Sequence, residues 1–299
     1  MQLGALVPFG NIGGDPDTVR DYAQGMENAG YDFLEAPDHV LGANVASRPN
    51  WEAGRNTSQD LFHDPFVLLS YLTGVAPKLG FSTGVLIVAQ RQTALIAKQA
   101  ACLDVLCKGR FRLGIGVGWN EVEYVALNEN FNNRGKRSEE QVQVMQALWQ
   151  KEHVTFNGRY HTIDDAGINP RPASGRVPVW YGGHHENTLA RIAKWGDGWM
   201  PNAYPPDQSA VEVFAKLRAL VEAQGRDPDN VGIEVWTSCG AGSEADWRKE
   251  VAFWKKLGVT HICLTTNYHK RHHHRIRAEG LSDYLSASKR YHDAVADLL

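Results

Sequence analysis

One stretch, residues 82–124, constrains the fold of this chain more than any other. It reads as a buried strand, a helix, a second buried strand and a glycine-rich loop. The first strand contains a continuous apolar run at 85–88, as expected where a strand is covered on both faces. A helix that joins two such strands makes a parallel β-α-β unit, whose ligands bind at the carboxyl ends of the strands. This stretch is therefore expected to build half of a binding pocket.

The alternation of strand and helix continues along the rest of the chain. We count eight strands, each followed by a helix, from a first strand at 2–7 to a last helix at 281–299. A chain of 299 residues accommodates a closed barrel of this kind, which needs about 250 residues. The sequence therefore predicts one α/β domain over residues 1–299 with the (β/α)8 TIM-barrel fold.

An open doubly wound sheet is the main competing architecture. Such a sheet usually carries the dinucleotide-binding fingerprint GxGxxG, in which each glycine has a defined role. In the sequence GIGVGW the third glycine is replaced by Trp119, so the closed barrel is the simpler interpretation.

The repeating pattern is interrupted at two places. A polar loop of about two dozen residues at 41–62 follows strand two, and loops of this length are commonly lids or disordered segments. The segment 153–163 alternates around Asn157 and Gly158, which predicts a β-hairpin inserted between strands four and five.

Composition argues against several functional classes. The net charge of −3 disfavours a nucleic-acid binder, which would carry a basic stripe. No apolar run approaches membrane-spanning length, and the N-terminus lacks a basic start and a cleavage site, so we interpret it as a first strand. We therefore expect a cytoplasmic protein whose partner is a small molecule. The four cysteines lie far apart or on predicted buried elements, as in a reduced protein: Cys102, Cys107, Cys239 and Cys263.

Asp38 and His39 come at the carboxyl end of strand two, where barrel enzymes place catalytic groups. A histidine there can transfer a proton near neutral pH, and we expect Asp38 to orient it. The alternative is a loop histidine that only makes a backbone hydrogen bond. Position alone does not separate these two interpretations.

Gly182 and Gly183 precede a helix predicted at 184–195. Glycines let the backbone approach a ligand, and free N–H groups at a helix start attract phosphate, although an ordinary tight turn is the alternative. The histidines at 269–274 are interpreted as a solvated loop rather than a metal site, with Lys270 and Arg271 available to attract an anionic substrate. Four aromatic residues near predicted strand ends are either core residues or the wall of a flat cofactor site: Trp119, Trp180, Tyr181 and Trp199.

A set of short motifs resembles one known family. They are PDHV at 37–40, HDPF at 63–66, STGVLIV at 82–88, AKQAACLDVL at 97–106, RFRLGIGVGWNEVEY at 110–124, WYGG at 180–183 and GDGWMP at 196–201. In this order they resemble the luciferase-like (bacterial luciferase-type) flavin-dependent oxidoreductases, and most of all the subgroup that depends on the deazaflavin coenzyme F-420. The resemblance covers about two thirds of the chain, from residue 2 to residue 201.

The resemblance implies a barrel that binds FMN or coenzyme F-420 at its C-terminal mouth. It also implies a non-proline cis peptide bond at Gly84–Val85, and Asp38 and His39 next to the ring or the substrate. Some deazaflavin dehydrogenases carry a catalytic glutamate after strand four, where this chain has Trp119, and the nearby Glu121 and Glu123 are left unassigned. The cofactor-binding residues expected on this basis are Gly84, Val85, Gly116, Gly118, Trp119, Tyr181, Gly182, Gly183, His184, Asp197 and Gly198.

We therefore expect a homodimeric oxidoreductase that transfers hydride to or from a small organic substrate with F-420 or FMN. The first alternative is a reduced-FMN-dependent monooxygenase that acts on a substrate such as a sulfonate. An alternative from another class is a barrel that binds a cofactor or ligand without catalysis, as a carrier or sensor.

Overall fold

The computed structural model describes residues 1–52, 56–202 and 204–299. Its strands are β1 Gln2–Leu6, β2 Phe33–Ala36, β3 Gly80–Thr83, β4 Leu86–Ile87, β5 Phe111–Gly116, β6 Val154–Asn157, β7 Thr162–Ala166, β8 Val179–Gly182, β9 Gly198–Met200, β10 Gly232–Ser238 and β11 His261–Thr265. The α-helices are α1 Phe9–Ile12, α2 Pro16–Asn28, α3 Pro65–Val75, α4 Thr93–Leu106, α5 Glu121–Ala126, α6 Arg134–Gln150, α7 Glu186–Trp195, α8 Gln208–Glu222, α9 Glu244–Lys256 and α10 Leu281–Val295.

The parallel strands close into a barrel across the described residues. They follow the order β3-β2-β1-β11-β10-β9-β8-β5, and β3 then pairs with β5, with Phe81 opposite Phe111. Strands β3 and β4 together form one of the eight barrel strands, and the Gly84–Val85 peptide bond between them is cis. The predicted TIM barrel and the expected cis bond are both confirmed.

Local sequence explains how the outer helices begin and which face they bury. Helix α2 has Asp15 as its N-cap, whose carboxylate accepts a hydrogen bond from the Thr18 N–H group at 3.0 Å, followed by Pro16 in the first turn. Helix α9 starts with a capping box between Ser243 and Asp246. Apolar residues at helical spacing then face the sheet, as in α2 with the buried residues Val19, Tyr22, Ala23 and Met26.

The barrel interior contains aromatic rings around a largely buried cation. The Arg112 guanidinium lies 4.4 Å from the Phe33 ring centroid and 4.5 Å from that of Trp180. Glycines on three strands make room for these rings, because a Cβ at each position would approach a ring within 2.3 Å. These glycines are Gly4 beside Phe33, and Gly198 and Gly232 beside Trp180.

The predicted hairpin is present between β5 and β8, where β6 and β7 pair as antiparallel strands. Its turn spans residues 158–161, where the Gly158 N–H group donates to the His161 carbonyl at 2.9 Å. The long connection after β2 is also present, with a 3-10 turn at Val45–Ser47 and a bridge between Ala43 and Thr57. Part of the loop predicted at 41–62 lies outside the described residues.

None of the helices in the described ranges combines the length and apolarity needed to span a bilayer. All four cysteines are free thiols. The predicted first strand at the N-terminus is β1, which pairs with β2 and β11 in the centre of the sheet order.

Candidate functional site

The carboxyl ends of the parallel strands meet at one mouth of the barrel, which is where barrel enzymes hold their ligands. His39 follows β2, Trp119 follows β5, and Gly183 and His184 follow β8. The fold therefore brings most of the residues predicted for the site to a single face.

Val85 forms a platform at this mouth. A Cβ at Gly116 would lie 2.6 Å from Val85 Cγ2, and a Cβ at Gly182 would lie 2.8 Å from Val85 Cγ1. The Val85 side chain therefore fits between the ends of β5 and β8 only because both positions are glycine. On the same rim Gly118 has a φ of +65°, and a Cβ there would lie 2.8 Å from Ile87 Cγ2.

His39 is held by a glutamate from the other side of the mouth. Its Nδ1 lies 3.4 Å from the carboxylate oxygens of Glu123, which is 1% exposed. The same carboxylate accepts hydrogen bonds from the Val40 N–H group at 2.8 Å and the Leu41 N–H group at 3.2 Å. Burial would raise the pKa of Glu123, but the hydrogen bonds from His39 and these N–H groups outweigh burial and hold the pKa below its usual value.

A negatively charged Glu123 fixes the tautomer of His39. Because a carboxylate only accepts hydrogen bonds, Nδ1 of His39 must carry the hydrogen. The other ring nitrogen, Nε2, then holds the lone pair that can accept a proton, and it can return that proton when the ring is charged.

The expectation that Asp38 orients His39 is wrong. The Asp38 carboxylate accepts a 2.6 Å hydrogen bond from Arg91 Nη2 and a 2.9 Å hydrogen bond from the Ile87 N–H group. Arg91 also binds Asp64, the N-cap of α3, at 2.9 Å. Asp38 therefore ties the end of β2 to β4 and to the start of α3, because the side chain before His39 points to the opposite side of the turn.

Aromatic rings surround His39 at the edge of the mouth. The Phe62 ring centroid lies 4.8 Å from the His39 ring, and the Trp119 centroid lies 6.2 Å away. Trp51 packs against Trp119 at 5.6 Å. With 38% of Trp119 exposed to solvent, these rings offer an apolar surface that a planar ligand can cover.

Gly183 and His184 line the mouth at the end of β8. Gly183 has a φ of +110°, and its carbonyl accepts a hydrogen bond from Trp199 Nε1 at 2.8 Å. His184 Nε2 lies 3.0 Å from Asn202 Oδ1, while its buried Nδ1 has no hydrogen-bond partner among the described residues. Burial lowers the pKa of His184, and the nearby charge of Arg271 lowers it further.

The segment 268–274 lies against the same side of the mouth. Arg271 Nη1 donates to the Asn202 carbonyl oxygen at 3.4 Å, and His273 Nε2 lies 3.3 Å from that oxygen. His273 packs against Trp236 and Tyr268 with ring centroids 6.3 and 5.8 Å apart. Burial lowers the pKa of His273 to about 4, so at neutral pH the positive charge beside Asn202 comes from Arg271.

Three of the four aromatic residues near the predicted strand ends are core residues rather than part of the mouth. Side chains alternate between the two faces of a strand, so Trp180 points into the barrel against Arg112 while Tyr181 points outward into the main core. Trp199 is fully buried and packs on Phe214 at 5.6 Å. The assignment of Tyr181 to cofactor binding is therefore corrected, and Trp119 is the member of the set that lies at the mouth.

The assignments of Asp197 and Gly198 are also wrong. Strand β9 begins at Gly198, which places both residues at its amino end, across the barrel from the mouth. Asp197 accepts a hydrogen bond from the Val179 N–H group at 2.8 Å and pairs with Arg176. Gly198 is small because the Trp180 ring fills the space beside it.

The residues that remain at the mouth fit a flat cofactor with an anionic tail. Val85 on its glycines provides a surface for one face of a ring, and His39 reaches the site from β2. Nδ1 of His184, which has no partner among the described residues, can become an N–H donor to an anion, because a nearby negative charge favours the protonated ring. Glu123, which binds His39, could not be assigned a role from the sequence alone. Its position in the motif WNEVEY, directly after β5, could have identified it as a candidate.

Comparisons with known proteins agree on a family. A family model described as luciferase-like monooxygenase matches residues 1–297. An uncharacterized protein of Mycobacterium tuberculosis is 31% identical over 209 residues, which are 68% of this chain and 71% of that protein. The F-420-dependent hydroxymycolic acid dehydrogenase of Mycobacterium tuberculosis is 28% identical over 219 residues, which are 72% of this chain and 57% of the dehydrogenase.

A solved structure has the same fold over nearly all of the chain. It is an F-420-dependent secondary alcohol dehydrogenase in complex with an F-420–acetone adduct, and it aligns with a TM-score of 0.76 at 18% identity. The alignment covers 98% of this chain and 98% of that chain.

Proposed function

This chain belongs to the luciferase-like monooxygenase family, and from that premise we propose that it is an F-420-dependent oxidoreductase acting on a small organic substrate. The family consists of oxidoreductases and monooxygenases, so the chain is an enzyme. The similarity to a hydroxymycolic acid dehydrogenase that is F-420-dependent favours the deazaflavin over FMN. The substrate class that best matches this similarity is an alcohol or its carbonyl product.

The observation that carries the proposal is the pairing of His39 with Glu123 at the same mouth of the barrel as the Val85 platform. Bound F-420 would supply the hydride transfer itself. His39 would hold or give the proton at Nε2 that an alcohol loses and a carbonyl oxygen gains. By binding the hydrogen on Nδ1, Glu123 would leave Nε2 free to exchange that proton.

The remaining predicted site residues receive binding roles. Val85, Gly84 and Gly116 would support the ring, while Gly182, Gly183 and His184 would hold the phosphate, and Arg271 adds positive charge beside them. The rings of Phe62 and Trp119 would cover the substrate side and exclude water.

A reduced-FMN-dependent monooxygenase is the second candidate, because the matching family model is described as a monooxygenase. Both candidates use the same mouth, since the two rings are nearly the same shape. They differ in whether oxygen is consumed.

An anaerobic turnover assay tests the proposal. Purified protein is mixed with F-420 and a panel of small alcohols, and in the reverse direction with reduced F-420 and carbonyl compounds, while the absorbance of the cofactor is followed. We expect cofactor reduction with at least one alcohol and no need for oxygen. Oxygen uptake with reduced FMN would favour the monooxygenase, and tight cofactor binding without turnover in either assay would favour a carrier or sensor.

Three broader expectations stay predictions. We propose that the chain is a single domain, that it forms a homodimer, and that it works in the cytoplasm. The four free thiols support a reducing compartment.

A further inference from the structure

Two carboxyl groups lie inside the barrel and take no part in the proposed reaction. Glu35 on β2 is 0% exposed and Glu234 on β10 is 1% exposed. One oxygen of each carboxyl group and the Sγ atom of Cys263 all lie within 4.8 Å of one another. Two carboxylates at this distance in the buried interior repel each other strongly if both are charged.

Each carboxyl group has one oxygen that is bound and one that is not. Trp236 Nε1 donates to Glu35 Oε1 at 3.2 Å, and Arg112 Nη2 donates to Glu234 Oε2 at 2.8 Å. Within the described residues Glu35 Oε2 and Glu234 Oε1 are buried and have no donor. A proton between two such oxygens would satisfy both, whereas a buried acceptor left alone loses its hydrogen bonds to water without replacement.

The charges of the surrounding groups can balance one negative charge on the pair but not two. Among the described residues, Arg112 from β5 is the cation of this cluster, and it pairs with Glu234 at 2.8 Å. Burial raises the pKa of the Cys263 thiol and lowers the pKa of His261 to about 2, so both groups from β11 are neutral. The register places Leu6 of β1 and Ser82 of β3 opposite Glu35, and neither of these side chains titrates.

We propose that Glu35 and Glu234 share one proton, forming with Arg112 a neutral cluster that positions Gly84 beneath the cofactor. Glu35 packs directly against this residue, because a Cβ at position 84 would lie 2.1 Å from Glu35 Cδ. Burial and the neighbouring Glu234 raise the pKa of Glu35 well above its usual value. The role in cofactor binding rests on the proposed function, whereas the shared proton does not.

Arg112, which pairs with Glu234, also borders a cavity at the opposite end of the barrel. A cavity of about 580 Å³ at the amino-terminal face is lined by residues that include Phe33, Arg112 and His261. The protonation state of the pair can therefore follow the pH of the solution in an equilibrium experiment.

The shared proton determines whether the free energy of unfolding rises or falls with pH. A carboxyl group whose pKa is raised in the folded state stabilises the protein below the unfolded pKa, and this contribution is lost as pH rises through the folded pKa. Glu35→Gln removes the titration and keeps an N–H donor toward Glu234. We expect the wild-type free energy of unfolding to fall relative to that of Glu35→Gln as the pH rises.

The experiment compares Glu35→Gln and Glu35→Ala with Glu250→Gln as a matched control. Glu250 is a partly buried glutamate whose pKa is raised by burial to about 7, so its titration is complete within the pH range of the experiment. Unfolding by denaturant is measured from pH 5 to pH 9, and infrared spectra at pH 8 record the protonated-carboxyl band. We expect that band to disappear in Glu35→Gln and to persist in Glu250→Gln.

Cofactor affinity tests the positioning role separately. Glu35→Ala should weaken binding of F-420 by about tenfold, the equivalent of one lost buried hydrogen bond, while Glu35→Gln should stay within about twofold of the wild type. Equal loss in both variants, or no loss in either, would overturn the positioning role.

The shared proton is overturned by two results. One is the same pH dependence and the same infrared spectrum in the wild type and in Glu35→Gln. The other is a metal ion that elemental analysis finds at one per wild-type chain and missing in the variant. If F-420 does not bind the wild type, the proposed function fails, while the unfolding and infrared results still decide the shared proton.

Discussion

His39 shows what a single residue reveals before the fold is known. Its place after a predicted strand was enough to identify it as a candidate, because barrel enzymes carry functional groups there. Its partner could not be found in the same way, since Glu123 is 84 positions away and only the barrel brings the two together. The neighbouring carboxylate, Asp38, was the natural guess, yet it binds Arg91.

Replacing His39 tests its role in catalysis. We expect His39→Ala to lower turnover by about two to four orders of magnitude, the usual contribution of a placed acid or base. Cofactor affinity and melting temperature should stay close to those of the wild type. His63→Ala is the control, because this histidine makes a 2.7 Å hydrogen bond to the Gly14 carbonyl oxygen and should affect stability only. Normal turnover with a lower melting temperature in His39→Ala would make His39 structural.

Replacing Glu123 by glutamine tests whether turnover depends on the negative charge of this side chain rather than on its shape. Glu123→Gln keeps an oxygen for the Val40 and Leu41 N–H groups but removes the charge that holds Nδ1 of His39. Losing a charged hydrogen bond of about 1.5–3 kcal/mol predicts a fall in turnover of about ten- to a hundredfold. Because the pKa of Glu123 is held below its usual value, the stabilisation persists in mild acid and is lost as pH falls through that lowered value. Glu121→Gln on the same helix should have no effect, and equal effects of the two variants would contradict the assignment.

At the scale of elements, sequence identified most strands and helices but not which end or face a residue occupies. GDGWMP was recognised, yet β9 starts at Gly198, so its first residues belong to the amino end of the barrel. Tyr181 was placed at the mouth, but it is one residue out of phase with Trp180 and Gly182. Helix α7 begins at Glu186 rather than at residue 184 because His185 caps it, with its side chain accepting from the Asn187 N–H group. The positions of Gly198 and Tyr181 depend on strand register, and the start of α7 depends on its cap. A single sequence specifies neither.

A carboxylate introduced into the loop between β8 and α7 tests whether this loop binds the cofactor phosphate. Gly183→Asp should raise the dissociation constant of the cofactor by at least about tenfold, or 1.4 kcal/mol, by placing a negative charge where phosphate is expected. Gly175→Asp is the matched control, since this glycine also has a positive φ, +73°, with open space around it. Equal affinity in the two variants would move the phosphate site elsewhere.

Because Gly198 lies at the amino end of β9, its replacement should affect stability and not cofactor binding. Gly198→Ala should lower the free energy of unfolding by about 1–3 kcal/mol, since its Cβ would lie 2.2 Å from the Trp180 ring. Cofactor affinity per folded molecule should not change. Gly74→Ala, in helix α3 with nothing within 4 Å of the new Cβ, should instead stabilise by up to about 1 kcal/mol. Loss of cofactor affinity in folded Gly198→Ala would return this residue to the site.

The whole barrel was predictable because strand and helix alternate eight times in a chain of suitable length. Its interior was not. Glu35, Arg112 and Glu234 lie on strands that read as apolar, and a buried charge is recognised only when its partner on a distant strand is known. The cluster and the His39–Glu123 pair therefore emerge only from the closed sheet.

Equilibrium titration of the purified protein with F-420 and with FMN tests the central claim most directly. Cofactor absorbance or fluorescence reports binding, with Gly183→Asp measured alongside to locate the site. We predict that F-420 binds with a micromolar or lower dissociation constant, about −8 kcal/mol or better, and more tightly than FMN. Failure of both cofactors to bind at micromolar concentration would contradict the account, and tighter binding of FMN would contradict the assignment to F-420.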